Sequence, residues 1–194
     1  GCAAAGRIPR EDGSVPQMPR QGLRIGAATV MQVAMAGAGA ADIRDDWTFD
    51  VKAIFGAARL FVEVPDGWMV KSIRQGARDL HSRTLELPSG ERLSGIEIVV
   101  SQRVTRVTGQ LLDARGAPSA DGTVVVFADD PERWGDMSGS VRAARADQQG
   151  SYEISGLPAG DYLAVALEYV QELSWNDPEY LESLRGSGIK VTIG

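Results

Sequence analysis

Residues 146–167, ADQQGSYEISGLPAGDYLAVAL, constrain the fold more tightly than any other stretch. Gln149-Gly150 supplies a turn. Tyr152 and Ile154 alternate with Ser151, Glu153 and Ser155, the period-two pattern of a half-buried strand. Gly156-Leu157-Pro158-Ala159-Gly160 then breaks the run and reverses the chain. Leu163, Val165 and Leu167 alternate again, with small Ala164 and Ala166 between them. The stretch reads as a hairpin of two strands around a tight turn. A chain of 194 residues with 23 Gly and 9 Pro repeats such punctuation throughout, as an all-β chain must.

The spacing D-x-x-G-x-Y-x-I-x-G-L-P-A-G-x-Y from Asp147 to Tyr162 resembles the signature of carboxypeptidase regulatory-like domains. These are sandwiches of the transthyretin (prealbumin-like) type. The resemblance continues through Val107–Pro118 upstream and Trp175–Leu181 downstream, and it covers Val104–Gly194. With Val124–Trp134, the downstream piece resembles large multi-domain bacterial surface proteins that carry such modules. The resemblance implies a prealbumin-like or Ig-like β-sandwich in a cell-surface, extracellular or periplasmic host. It does not imply carboxypeptidase activity, because those enzymes keep their zinc ligands in a separate catalytic domain.

The two halves of the chain also match each other. Gly6 and Gly13 fall on Gly109 and Gly116 at one shift of 103 residues (109 − 6 and 116 − 13). The same shift carries Trp47 onto Gly150, Phe49 onto Tyr152, Val51 onto Ile154, Ile54 onto Leu157, Leu60 onto Leu163 and Val62 onto Val165. Two tandem sandwich domains, 1–103 and 104–194, are expected. In the first, strands are expected at Cys2–Ile8, Leu23–Ala27, Trp47–Val51, Arg59–Val64, Trp68–Arg74, Thr84–Leu87 and Leu93–Ser101. The second should hold Val104–Leu112, Gly122–Ala128, Val141–Ala144, the opening pair and Ile189–Ile193. One short helix should begin at Asp177, a good N-cap, with Pro178 in its first turn and Tyr180, Leu181 and Leu184 on its apolar face. The alignment calls for a strand after Ile189–Ile193. Either the chain is a fragment, or the second domain borrows a strand along the edge beside Ile189–Ile193.

Charge and side-chain chemistry narrow the function. The net charge is −6 with both signs interspersed, which argues against nucleic-acid binding, since that needs a basic face. Ile25–Ala41 is uncharged but spans only 17 residues rich in Ala and Gly, short of the roughly 20 apolar residues of a membrane span. Cys2 is the one cysteine, so an internal disulfide is excluded. Gly1-Cys2-Ala3 resembles the cleavage edge of a lipoprotein signal; the plainer alternative is a small strand residue. His81 is the one histidine, and Asp79, His81 and Ser82 are too close in sequence to converge as a triad. Asp42/Asp45/Asp46 and Asp129/Asp130/Asp136 lack EF-hand spacing and read as solvated turn carboxylates. Nucleotide-loop and nucleophile-elbow motifs are missing. Related surface sandwiches carry Lys–Asn isopeptide bonds, but the single Asn176 precedes a helix and none of Lys52, Lys71 and Lys190 lies in a first strand, so none is expected here. Catalytic residues, cofactors and metals are therefore not expected.

Two sets of residues remain as contacts for a ligand or partner. Trp134, Trp175 and Tyr180 could form a sugar-stacking platform; the alternative is that Trp175, Tyr180 and Leu181 cap the open end of the sandwich core; Trp47 and Trp68 read as core. The apolar loop Val30–Ala41 should bury Met31, Val33 and Met35 against a neighbouring domain or chain, unless it forms an extra core strand. The expected function is a non-catalytic structural or interaction module that meets other chains through strand edges. The rivals are a carbohydrate- or peptide-binding module and an accessory domain of a secreted enzyme.

Overall fold

Four turns of one design fix where strands end. At Arg10–Gly13, Arg44–Trp47, Asp113–Gly116 and Asp147–Gly150, the fourth residue's N–H donates to the first residue's carbonyl at 2.9–3.0 Å. The fourth residue is left-handed each time, at φ 80°, 62°, 80° and 74°. Three of the four are glycine, which adopts that backbone without penalty; the exception is Trp47. An aspartate locks each turn by accepting backbone N–H bonds: Asp12 from Ser14, Asp46 from Thr48, Asp113 from Arg115 and Ala117, Asp147 from Gln149 and Ser151. The computed structural model describes residues 1–29, 39–54, 56–135, 137–168 and 174–194.

The chain divides into two compact units, Gly1–Val104 and Thr105–Gly194. The first holds β1 (Cys2–Arg7), β2 (Arg24–Thr29), β3 (Gly39–Ile43), β4 (Thr48–Ile54), β5 (Ala57–Glu63), β6 (Met69–Gln75), β7 (Arg78–Asp79), β8 (Thr84–Glu86) and β9 (Arg92–Ser101). They hydrogen-bond in the order β7-β6-β9-β1-β4-β3-β2-β5-β8. The sheet folds over on itself: Phe49, Val51, Ile96 and Ile98 from one half share a core with Ile25, Ala27, Leu60 and Leu85 from the other. Trp47 and Trp68 are buried in that core but precede β4 and β6 rather than lying within them. Strand β3, absent from the expected set, takes up the end of the apolar loop. Met31, Val33 and Met35 lie outside the described residues.

The second unit holds β10 (Arg106–Gln110), β11 (Thr123–Ala128), β12 (Val141–Arg145), β13 (Ser151–Ser155), β14 (Gly160–Leu167), helix α1 (Pro178–Leu184) and β15 (Ile189–Ile193). Strands β12-β11-β14-β15 form one sheet and β10-β13 another. Register and burial show that the larger sheet is covered on both faces. Phe127 opposite Leu163 lies on one face and Val126 opposite Ala164 on the other, and Phe127, Leu163 and Val126 are all buried. Val107, Tyr152 and Ile154 from the smaller sheet and Trp175, Leu181 and Leu184 from the helical segment complete this core. Asp177 caps α1 by accepting the Glu179 N–H, with Pro178 following it.

The opening stretch is not a hairpin. Strand β13 pairs only with β10, while β14 pairs with β11 and β15. Gly156–Gly160 therefore carries the chain from one sheet to the other. The physical reason is Leu157, which is 1% exposed and plugs the core between the layers. Tyr162, fully buried, donates its hydroxyl to the Pro158 carbonyl at 2.7 Å and holds the arch closed. Local turn signals report a reversal but not whether the chain returns alongside itself or crosses a core.

The two units share pairing registers. Strand β1 sets Gly6 opposite Phe49, and β10 sets Gly109 opposite Tyr152. Strand β2 sets Ile25 opposite Val62 and Ala27 opposite Leu60; β11 sets Val125 opposite Val165 and Phe127 opposite Leu163. Strands β8 and β15 occupy the same place outside β5 and β14. The strand that follows β8, however, does not pair with it. Strand β9 lies between β1 and β6, parallel to β1. The counterpart of that lane in the second unit runs beside β10.

Candidate functional site

The aromatic residues divide between core and rim. Trp134 is 3% exposed; its indole N–H donates to the Ala128 carbonyl at 2.6 Å and its ring meets Phe127 edge-on at 5.6 Å. The Arg185 guanidinium lies 5.8 Å from the ring centre and bonds Asp129 at 2.8 Å. A ring so enclosed presents no face for a sugar to stack on. Trp175 is half-buried against the same core, and Tyr180 is half-buried on α1.

The polar candidates are each tied into local structure. Cys2 is buried in β1, and its thiol donates to the Pro88 carbonyl at 2.9 Å. His81 is buried just after β7, with its backbone N–H on Asp79 Oδ1 at 2.9 Å. Asp42 pairs with Lys52, Asp45 with Arg20, and Asp46 locks its turn. Asp129 takes Arg185 and Asp130 caps the turn at Pro131–Arg133; Asp136 lies outside the described residues. Among the described residues no three His, Cys, Asp or Glu side chains gather as metal ligands, and no helix is long and apolar enough to cross a membrane.

Charge concentrates on the outer face of β9 and its neighbours. Hydrogen bonds from Arg7 hold the Glu97 carboxyl below its usual range, against an opposing desolvation effect, with Arg74 adding to the pull. The Lys71 ammonium does the same for Glu11, helped by Arg103. Asp50, buried on β4, accepts from Arg92 at the start of β9 at 3.1 Å. These pairs lace β9 to β1, β4 and β6.

Strand edges are the places where backbone groups remain available. Among the described residues, strand β15 bonds β14 on one side only, and Ile189 is 73% exposed. Among the described residues, strand β10 likewise bonds β13 on one side only. There the ladder runs through odd-numbered residues, since Leu111 N–H donates to Gly150 and Gly156 N–H to Thr105. The N–H and C=O groups of Arg106, Thr108 and Gln110 therefore point to the opposite side. The alternation along β1 turns Ala3, Ala5 and Arg7 to β9, as the Ala3 N–H bond to the Glu91 carbonyl shows. These are the residues that a shift of 103 places on Arg106, Thr108 and Gln110. The sequence contains this signal in its self-alignment; what it lacks is the knowledge that β9 belongs beside β1.

No protein-family model matches the chain, and no curated protein matches it. Solved structures match at low identity. The Bacillus anthracis TIE protein is 12% identical, with 99% of this chain covered, 31% of the other and a TM-score of 0.34. A streptococcal ancillary pilin is 15% identical, with 100% and 58% covered and a TM-score of 0.37. The minor pilin of Streptococcus agalactiae is 11% identical, with 100% and 91% covered and a TM-score of 0.34. The chain thus spans about a third of the first of these proteins and somewhat over half of the second.

Proposed function

We propose that the chain is a non-catalytic structural module of a bacterial cell-surface or extracellular protein, two sandwich domains (1–103 and 104–194) on one strand plan, meeting other chains through strand edges. The carboxypeptidase regulatory-like signature of the second domain supports the same reading. The observation that carries it is the contrast between two corresponding edges. In the first unit, β8 is three residues long and exposes Thr84 and Glu86, the short polar form that discourages pairing. In the second, β15 is five residues long, exposes Ile189, and leaves Val191 and Ile193 half-buried. A longer edge of β-branched residues with a single lysine invites a partner strand.

Sedimentation velocity over a hundredfold concentration range tests this. The chain should gain mass with concentration, and Ile189→Lys should hold it monomeric without changing its melting temperature. A chain that stays monomeric throughout, at any ionic strength, overturns self-assembly through this edge.

A further inference from the structure

We propose that β15 pairs antiparallel with β15 of a second copy of this chain, about a two-fold axis at Val191, and that Lys190 of each copy meets Asp161 of the other. This rests on the edge reading above and adds to it the occupant, the register and a closed dimer as the product. The backbone decides which groups are on offer. The Asp129 N–H donates to the Asp161 carbonyl, so Asp161, Leu163 and Val165 direct their backbone groups at β11, and Tyr162 and Ala164 direct theirs at β15. Val191 and Ile189, opposite Tyr162 and Ala164, are therefore engaged with β14. The N–H and C=O groups of Lys190 and Thr192 point to the outer side, where among the described residues no hydrogen bond engages them. An open outer side belongs to the strand plan. Among the described residues β8, at the same place in the first unit, ends its sheet although the chain runs on past it into β9.

Side-chain chemistry selects a second copy as the occupant and fixes the register. Two identical strands pair about a two-fold axis with their outward-directed residues opposite one another, which allows centres at Lys190, Val191 or Thr192. A centre at Lys190 sets two ammonium groups directly opposite, which is destabilising. A centre at Val191 sets Lys190 opposite Thr192 of the copy, and Ile189, 73% exposed, opposite its half-buried Ile193. The carboxylate that Lys190 then meets is already turned to the edge. Asp161 lies opposite Thr192 and accepts from its hydroxyl at 2.8 Å. Lys190, Thr192 and Asp161 share one face of the sheet, so two strand spacings, about 10 Å, lie between Lys190 and Asp161 of the copy. An extended lysine and an aspartate side chain close that gap. A centre at Thr192 lengthens it by two residues of strand. Among the described residues neither Lys190 nor Asp161 has a partner of opposite charge. The two-fold axis forms the missing pair twice.

The test uses the full chain in sedimentation velocity. The parent should reach a dimer and stop there, because a two-fold contact closes on itself. Lys190→Asp and Asp161→Lys, both at exposed positions, should each weaken dimerisation by about tenfold with the melting temperature unchanged. The double variant Lys190→Asp/Asp161→Lys should return it to within about threefold of the parent. Val191→Cys should cross-link to its copy under diamide, because opposed residues outside the hydrogen-bonded pairs bring their Cα atoms to about 4.5 Å, within disulfide range. Ile189→Cys, which faces Ile193 of the copy instead, should not. The parent, whose buried Cys2 is its only thiol, is the control. Should a charge variant lower the melting temperature, the cross-link decides. The proposal is overturned, with the edge reading left standing, if assembly is lost on Ile189→Lys and yet Val191→Cys stays unlinked. Single charge variants that assemble like the parent, a double variant that fails to recover, or mass that grows past the dimer overturn it in the same way. A chain that stays monomeric overturns both.

Discussion

Trp47 is an aromatic residue held at φ 62°, in a turn whose counterparts at Gly13, Gly116 and Gly150 use glycine. Replacing it with glycine sets two effects against each other. Relief of the left-handed backbone is worth about 1–2 kcal/mol. Against that, the indole is 9% exposed within the first core, and loss of a buried tryptophan costs about 3–5 kcal/mol. The Arg20 guanidinium 4.7 Å from the ring centre adds roughly 0.5–1 kcal/mol. Packing wins, and Trp47→Gly should destabilise the first unit by about 2–4 kcal/mol. At roughly 4–8 °C per kcal/mol for a unit of this size, its melting transition should fall by about 10–30 °C. Scanning calorimetry of the full chain, with hydrogen exchange to assign transitions to units, measures this. The reverse exchange at the corresponding position, Gly150→Ala, should also destabilise. A Cβ there meets the Leu111 carbonyl oxygen at 2.6 Å and the Ser119 nitrogen at 3.0 Å, on top of φ 74°. A Trp47→Gly chain that melts at or above the parent temperature would refute the reasoning, since it would mean that backbone strain outweighs the buried ring.

Gly6→Ala should cost the first unit about 3 kcal/mol or more, because a Cβ would lie 1.9 Å from the Ile96 carbonyl oxygen of β9. Gly109→Ala should cost less, since the atoms nearest its Cβ belong to the Tyr152 side chain, whose ring can swing aside, rather than to backbone; equal losses by denaturant unfolding would count against this. Leu157→Ala should cost about 2–4 kcal/mol by the same assay, whereas a residue at the tip of an exposed hairpin would cost under about 0.5 kcal/mol. Glu11 and Glu97 titrate below their ordinary 4.5, and Asp12 and Asp46 below 3.8. Each carboxyl is more acidic folded than unfolded, so its stabilisation is complete above the ordinary value and is lost as pH falls through the lower folded one. The first unit's melting temperature should therefore be flat from pH 7 to about 5 and drop below about 4.5, and Glu97→Gln should shallow the drop.

Strand positions were legible in the sequence to within a residue or two wherever alternation was strong, as in Thr123–Ala128 and Gly160–Leu167. The helix was legible because Asp177 and Pro178 act locally. Pairing was less legible. The stretch that opens the sequence argument holds two strands that belong to different sheets, because Gly-x-Pro-x-Gly punctuation specifies a reversal while the burial of Leu157 decides the partner. An extra strand in the Val30–Ala41 loop stood only as an alternative, and the bounds of β3 were not legible because Gly39, Ala40 and Ala41 carry little hydrophobic signal. Trp134 carried no local mark separating a stacking platform from a core plug; the decision comes from Ala128, whose carbonyl accepts the indole N–H, and Phe127, one residue before it.

The self-alignment of the chain carried more than the strands themselves, and the reason is physical. Register in a sheet is fixed by which side chains must face the core, and a one-residue slip would turn all of them outward. A sequence that keeps Phe49 and Tyr152, Leu60 and Leu163, and Val62 and Val165 at one spacing also keeps the strands that pair with them. The spacing need not hold elsewhere. Ile25 and Val125 differ by 100 residues rather than 103, yet they face Val62 and Val165 alike, because three residues more lie in the connection before Ile25 than before Val125. The segment between β5 and β8 holds β6 and β7 in the first unit, whereas the segment between β14 and β15 holds α1 in the second. Paired strands set the plan and connections vary around it.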